Sequence, residues 1–170
     1  EDVAVTSTAT ELNLLDGKAA TNLALVGKQG GTNFTNSLLV GHATTGTLSS
    51  AENNVGVGIG ALNAITNSDN NTAIGYLAGT TITSGYRNTL VGAEAGEAIL
   101  GGLYNVAVGS KAGEVINSGS FNTLLGGFAG ANITTGSGNV IIGKTNASSA
   151  TGSRQLKISG NDNSTETVWI

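Results

Sequence analysis

Asn71-Thr-Ala-Ile-Gly-Tyr-Leu-Ala-Gly-Thr-Thr-Ile-Thr-Ser-Gly-Tyr-Arg87 is followed at once by Asn88-Thr-Leu-Val-Gly-Ala-Glu-Ala-Gly96, and the same cadence returns at Asn105 and Asn122. Asn54, Asn71, Asn88, Asn105, Asn122 and Asn139 stand 17 residues apart. Each is followed four residues later by glycine, at Gly58, Gly75, Gly92, Gly109, Gly126 and Gly143. An Ala-Gly pair recurs in four units, from Ala78-Gly79 to Ala129-Gly130, and isoleucine recurs at Ile65, Ile82, Ile99, Ile116 and Ile133. Weaker copies at residues 36–41 and 22–27 extend the repeat to residues 22–145. Self-similarity at a fixed period is the signature of a repeat architecture.

Seventeen residues cannot hold a helical hairpin, whose repeats need more than about thirty. Two short β-type runs separated by Gly and Asn fit one coil of a β-solenoid or β-roll. Each coil then supplies two strands, and about seven coils spaced at ~4.8 Å make a rod about 35 Å long. The chain has 27 Gly and no Pro, so every backbone donor stays available to the ladder. The expected class is all-β.

Strand side chains alternate between faces. One face of the first run carries Val55, Thr72, Thr89, Val106, Thr123 and Val140 together with Val57, Ile74, Val91, Val108, Leu125 and Ile142. The residues between them are Gly56, Ala73, Leu90, Ala107, Leu124 and Ile141. Both faces are apolar, so one lines the coil interior and the other needs cover from outside. The sequence reading assigns Leu90, Leu124 and Ile141 to the outside, with Trp169 as a further contact, and makes another copy of the chain the cover. A homo-oligomer packed along the rod axis is the expectation.

Composition removes large classes of chemistry. There is no Cys and a single His, His42, so thiolate nucleophiles, disulfides and His- or Cys-rich metal sites are excluded. No metal and no cofactor is expected. Seven basic against eleven acidic residues give a net charge of −4, which offers little to nucleic acid, and no apolar run approaches the ~20 residues of a membrane span. No Asp or Glu recurs with an attendant base, so no catalytic residue is expected and the chain reads as non-enzymatic.

Stacking equal positions makes columns. The asparagines form the strongest one, read as a structural ladder capping turns, with a ligand-binding row as its rival. Arg87, Tyr104 and Phe121 form a second, a guanidinium on two rings, against which sugar binding is weighed. Glu94 and Lys111 stack as an ion pair, while Glu97 and Glu114 are like charges in adjacent coils. Variable turn residues, Tyr76, Tyr86, Lys111 and Phe128, are the candidate receptor contacts.

The ends differ from the middle. Residues 1–21 read as a connector, in which Thr8 and Glu11 resemble a capping box before Leu12, Leu14 and Leu15 and predict a short helical turn ending at Gly17. Residues 146–170 read as a β-hairpin-like segment, with strands at 153–159 and 167–170 around a Gly-Asn-Asp-Asn-Ser turn. The chain begins at Glu1 without Met and stops straight after a strand-like run, which suggests a piece of something longer.

Thr8-Ala-Thr-Glu-Leu-Asn-Leu-Leu-Asp-Gly17 resembles the T-A-x-E-L-N-x-L-D-G element of bacteriophage tail-fibre proteins, and Asn71-Thr-Ala-Ile-Gly-Tyr-Leu-Ala-Gly79 resembles their N-T-A-x-G-x-x-A-G repeats. Together these cover most of residues 8–143. The resemblance implies a homotrimeric fibre segment in a virion tail. It implies as partners other tail proteins and a host-cell surface receptor, such as a glycan, and it supplies no catalytic residues. Asn105-Val-Ala-Val-Gly109 is also similar to the N-S-V-A-I-G repeats of trimeric autotransporter adhesin heads, which implies a bacterial cell surface instead. Against those stand the 17-residue units. An ice-binding solenoid is the third class, disfavoured because Val106 and Val140 interrupt the Thr72, Thr89 and Thr123 column and because that column is read as facing inward.

Overall fold

The computed structural model describes residues 27–29, 34–41, 48–161 and 164–169. The helical turn expected over residues 8–17, the weak copy beginning at Asn22 and His42 fall outside them, apart from Gly27. In chain order the strands are β1 (Gly27–Gln29), β2 (Phe34–Thr35), β3 (Leu38–Val40), β4 (Ala51–Glu52), β5 (Val55–Val57) and β6 (Thr72–Ile74). They continue as β7 (Thr89–Val91), β8 (Val106–Val108), β9 (Thr123–Leu125), β10 (Val140–Ile142), β11 (Leu156–Asn161) and β12 (Glu166–Val168). β3, β5 to β10 and β11 stack in parallel with no slip, so that Leu38, Val55, Thr72, Thr89, Val106, Thr123, Val140 and Leu156 lie in one row. The chain is the all-β solenoid of 17-residue coils that its period predicts. Eight stacked strands make seven intervals, a rod of about 34 Å.

The two ends of the stack are antiparallel. β1 pairs β3 with Gly27 opposite Val40, so Gly27 belongs to a returning strand and not to a further coil. β12 folds back on β11 with Ser159 opposite Val168. The parallel stack itself runs past residue 145, because β11 continues it before turning into the hairpin.

Each of the regular coils has one three-residue strand where two were expected. The second run cannot stay extended because left-handed residues break it twice, as at Leu77 (φ 55°) and Gly79 (φ 57°). The Ile82 amide then turns back to the Gly79 carbonyl at 3.1 Å. Coils remain joined through these turns, as from the Gly79 amide to the Ala95 carbonyl at 3.0 Å.

The facing of the strands is the reverse of the sequence reading. Leu90, Leu124 and Ile141 are fully buried inside the coil and are no oligomer face, while Val57, Ile74, Val108 and Leu125 point outward at 36–43% exposure. Thr72, Thr89 and Thr123 lie on that outer face too. The reason is volume. A β-carbon on Gly79 would stand 2.7 Å from Leu90 Cδ1 and one on Gly96 2.8 Å from Leu90 Cδ2, so Leu90 fills space that two coils leave empty. Leu124 does the same for Gly113 and Gly130. In the coil of Asn54 the exchange is inverted: Gly56 has no side chain, and Leu62 stands where later coils carry glycine. Columns of buried Ala and Ile complete a core one side chain thick.

The glycine four residues after each asparagine is fixed by backbone contact. Gly109 has φ 131°, and a β-carbon there would meet the Gly126 carbonyl at 2.5 Å. Only glycine enters that region without strain and lets successive coils approach this closely.

Candidate functional site

The asparagine column is a closed hydrogen-bond ladder. Oδ1 of Asn105 accepts from both the backbone N–H (3.1 Å) and Nδ2 (2.9 Å) of Asn122, while Asn105 Nδ2 donates to Asn88 Oδ1 (3.1 Å) and the Gly119 carbonyl (2.9 Å). The pattern is the same at Asn71, Asn88, Asn122 and Asn139. Asn54 starts the run: its backbone N–H reaches Ser37 Oγ at 2.8 Å, and Ser37, not Asn36, holds the equivalent register. Gln155 ends it, donating its N–H and Nε2 to Asn139 Oδ1. All six asparagines are fully buried, so the column holds coils together and presents nothing to a ligand.

The column before the asparagines is exposed. Asn70, Arg87, Tyr104 and Phe121 all take left-handed φ of 55–59°. Tyr104 and Phe121 stack at 5.0 Å and 9°, and the Arg87 guanidinium lies 5.1 Å from the Tyr104 centroid and hydrogen-bonds the Tyr104 hydroxyl. Tyr104 has Arg87 on one side and Phe121 on the other, while Phe121, at the end of the stack, is 60% exposed, so the column joins three successive coils. Tyr86 meets Tyr104 edge-on at 6.0 Å.

Lys111 lies between two carboxylates, 2.9 Å from Glu94 and 2.9 Å from Glu114. The hydrogen bond to Glu94 first, and that to Glu114 next, push its ammonium above the usual lysine value. Glu97 completes a group of three carboxylates. That triad has the donor set for a cation, but the Lys111 ammonium already bridges two of its members.

The four candidate receptor contacts do not form one site. Lys111 and Phe128 share a column in adjacent coils, Tyr76 stands beside the Leu77 member of that column two coils before Lys111, and Tyr86 lies beside the aromatic column, edge-on to Tyr104. Tyr76 and Phe128 are exposed, at 52% and 44%. Trp169 is exposed on the hairpin, with its ring over Gly160 and its amide on the Ile158 carbonyl at 2.8 Å. What the strands do bring together is an outward face two residues wide, in which the column of Val57, Ile74, Val91, Val108, Leu125 and Ile142 is apolar throughout and the column of Val55, Val106 and Val140 is interrupted by Thr72, Thr89 and Thr123. Sequence reasoning found this apolar face and assigned it to the interior.

No helix among the described residues is long and apolar enough to cross a membrane. No family model, curated protein or solved structure matches the chain.

Proposed function

We propose that the chain is a structural, non-enzymatic shaft segment of a homotrimeric attachment fibre, of the kind carried on bacteriophage tails, reaching toward a receptor on the host-cell surface. The observation that carries this reading is the outward apolar stripe running the length of the stack. Monomeric surfaces rarely expose contiguous apolar patches above a few hundred Å². Three copies packed stripe to stripe about the rod axis cover it in every coil at once, which a globular partner could not do. The tail-fibre resemblance of residues 8–17 and of the N-T-A-x-G repeats supports the same setting. Mechanical extension and threefold presentation are then the mechanism, since linked weak sites gain ~10² to 10⁴ in avidity. Fluorescently labelled protein is expected to decorate a subset of bacterial strains and to compete with adsorption of a virus that carries it. Labelling that is uniform across strains and unaffected by competing virus would overturn the reading.

One observation favours a second reading. Thr72, Thr89 and Thr123 point outward in register, as an ice-binding array requires, with Val106 and Val140 in the same row. A stripe sealed in a trimer cannot meet ice, so inhibition of ice growth by a single-chain species would support this alternative against the fibre.

A further inference from the structure

The exposed column beside the asparagine ladder lacks one member. Phe121, Gly138 and Arg154 occupy successive coils, joined by hydrogen bonds from the Gly138 amide to the Ser120 carbonyl at 2.8 Å and from the Arg154 amide to the Ser137 carbonyl at 2.9 Å. All three are left-handed, at φ 59°, 69° and 57°, as are Arg87 and Tyr104 before them. Along the rod the column therefore reads guanidinium, ring, ring, no side chain, guanidinium.

The spacing of the gap matches the stack beneath it. The column steps 5.1 Å from the Arg87 guanidinium to the Tyr104 ring and 5.0 Å from that ring to Phe121. Coils repeat at ~4.8 Å, so the backbones of Phe121 and Arg154 stand about 9.6 Å apart, with room for one ring between two flat groups. Phe121 is exposed, and Gly138 puts nothing over the ring face turned away from Tyr104. Arg154 is exposed too, and its side chain makes no hydrogen bond, ion pair or ring contact with another described residue. Its stem leans toward the opening, with Cγ 3.6 Å from where a β-carbon on Gly138 would stand.

A phenyl face on one side and a guanidinium on the other select an occupant that suits both. An aromatic ring stacks on the first at about 4.5–7 Å and turns its negative face to the second. An alkyl group satisfies the phenyl ring alone, and an inorganic anion the guanidinium alone. We propose that the opening at Gly138 is a binding slot for one electron-rich aromatic ring, an indole or a phenol, held between Phe121 and Arg154 as Tyr104 is held between Phe121 and Arg87. The slot stands on this geometry and not on the fibre reading. Its ring can come from a free aromatic compound or from a second copy of the chain, whose Trp169 is the most exposed ring among the described residues.

The test is an NMR titration of the full chain with N-acetyltryptophanamide, beside N-acetylleucinamide as an apolar probe without a ring. The aromatic probe is expected to shift the amides of Gly138 and Arg154 with millimolar affinity, and the leucine probe to bind at least about tenfold more weakly. Arg154→Gln should weaken the aromatic probe about threefold. Gly138→Tyr should abolish its binding and raise the melting temperature, because the added ring fills the slot and completes the stack. Phe121→Asn should abolish it by removing the platform. Both variants keep a fold the column already tolerates, since Tyr104 and Asn70 take the same left-handed conformation, and unchanged amides elsewhere in the shaft would confirm it. A native chain that ignores the aromatic probe beside a Trp169→Ala variant that binds it would assign the slot to the indole of a second copy. No shift in either chain, equal shifts from the leucine probe, or binding undiminished by Gly138→Tyr or Phe121→Asn would overturn the proposal.

Discussion

Asn122 donates two hydrogen bonds, from its backbone N–H and its Nδ2, to a single atom, Oδ1 of Asn105. Removing one rung therefore strands its partners on the C-terminal side, while Asn88 Oδ1 keeps the backbone N–H of residue 105. Asn105→Ala leaves both Asn122 donors without their acceptor and the Gly119 carbonyl without its donor, all at buried positions. Each such group costs about 1–3 kcal/mol. A loss of about 3 kcal/mol or more is expected in urea unfolding, and a loss below about 1 kcal/mol would mean that the ladder is decorative.

Gly109 tests the close approach of coils. Its φ of 131° and the 2.5 Å contact of a hypothetical β-carbon with the Gly126 carbonyl leave no room for a methyl group. Gly109→Ala should destabilise by at least about 3 kcal/mol, from strain and clash together. Gly127→Ala is the control, because a β-carbon there meets nothing nearer than 3.8 Å. Thermal melting of the two variants separates position from composition.

Ser68 offers the opposite sign. Its Oγ is the one buried side-chain polar atom without a hydrogen-bond partner among the described residues, at a position where later coils carry Gly85, Gly102, Gly119 and Gly136. Ser68→Ala removes a desolvated hydroxyl and should stabilise by about 1 kcal/mol. A lower melting temperature would show that the hydroxyl is satisfied.

The hairpin should respond to acid. Hydrogen bonds from Thr145 first, then from Lys157, lower the Glu166 carboxyl below 4.5. A carboxylate with a depressed folded-state value contributes stability that is present above its unfolded value and lost as pH falls through the folded one. Docking of β12 should thus weaken below about pH 4.5, read by the emission of Trp169, the only tryptophan. Glu166→Gln should flatten that transition. An acid response unchanged by Glu166→Gln would place its origin elsewhere.

The period, the all-β class and the hairpin strands were legible because stacking equal positions leaves a one-dimensional signature in the chain. The direction of the strands' faces was not read correctly, because hydrophobicity alone is ambiguous when Leu90 and Val91 are neighbours on opposite faces. The deciding signal was volume: Leu90 lies between Ala73 and Ala107 in its column, and Gly56 coincides with Leu62, which is the compensation a core one side chain thick demands. The second strand was misjudged because isoleucine at Ile82 suggests an extended run, whereas left-handed Leu77 and Gly79 turn it.

The reassigned faces predict separate effects. Leu90→Ala opens an interior cavity and should cost about 2–5 kcal/mol while leaving the number of chains unchanged. The same substitution would break an assembly, with little effect on the coil, if Leu90 faced a partner.

Most direct is the solution mass of the native chain by light scattering after gel filtration, beside that of Val108→Lys. The account predicts a mass near three times 16.8 kDa for the native chain, and 16.8 kDa for a variant that keeps its β-sheet circular dichroism. A native mass of 16.8 kDa, or a trimer untouched by a lysine at Val108, would contradict the claim that the outward stripe joins three copies.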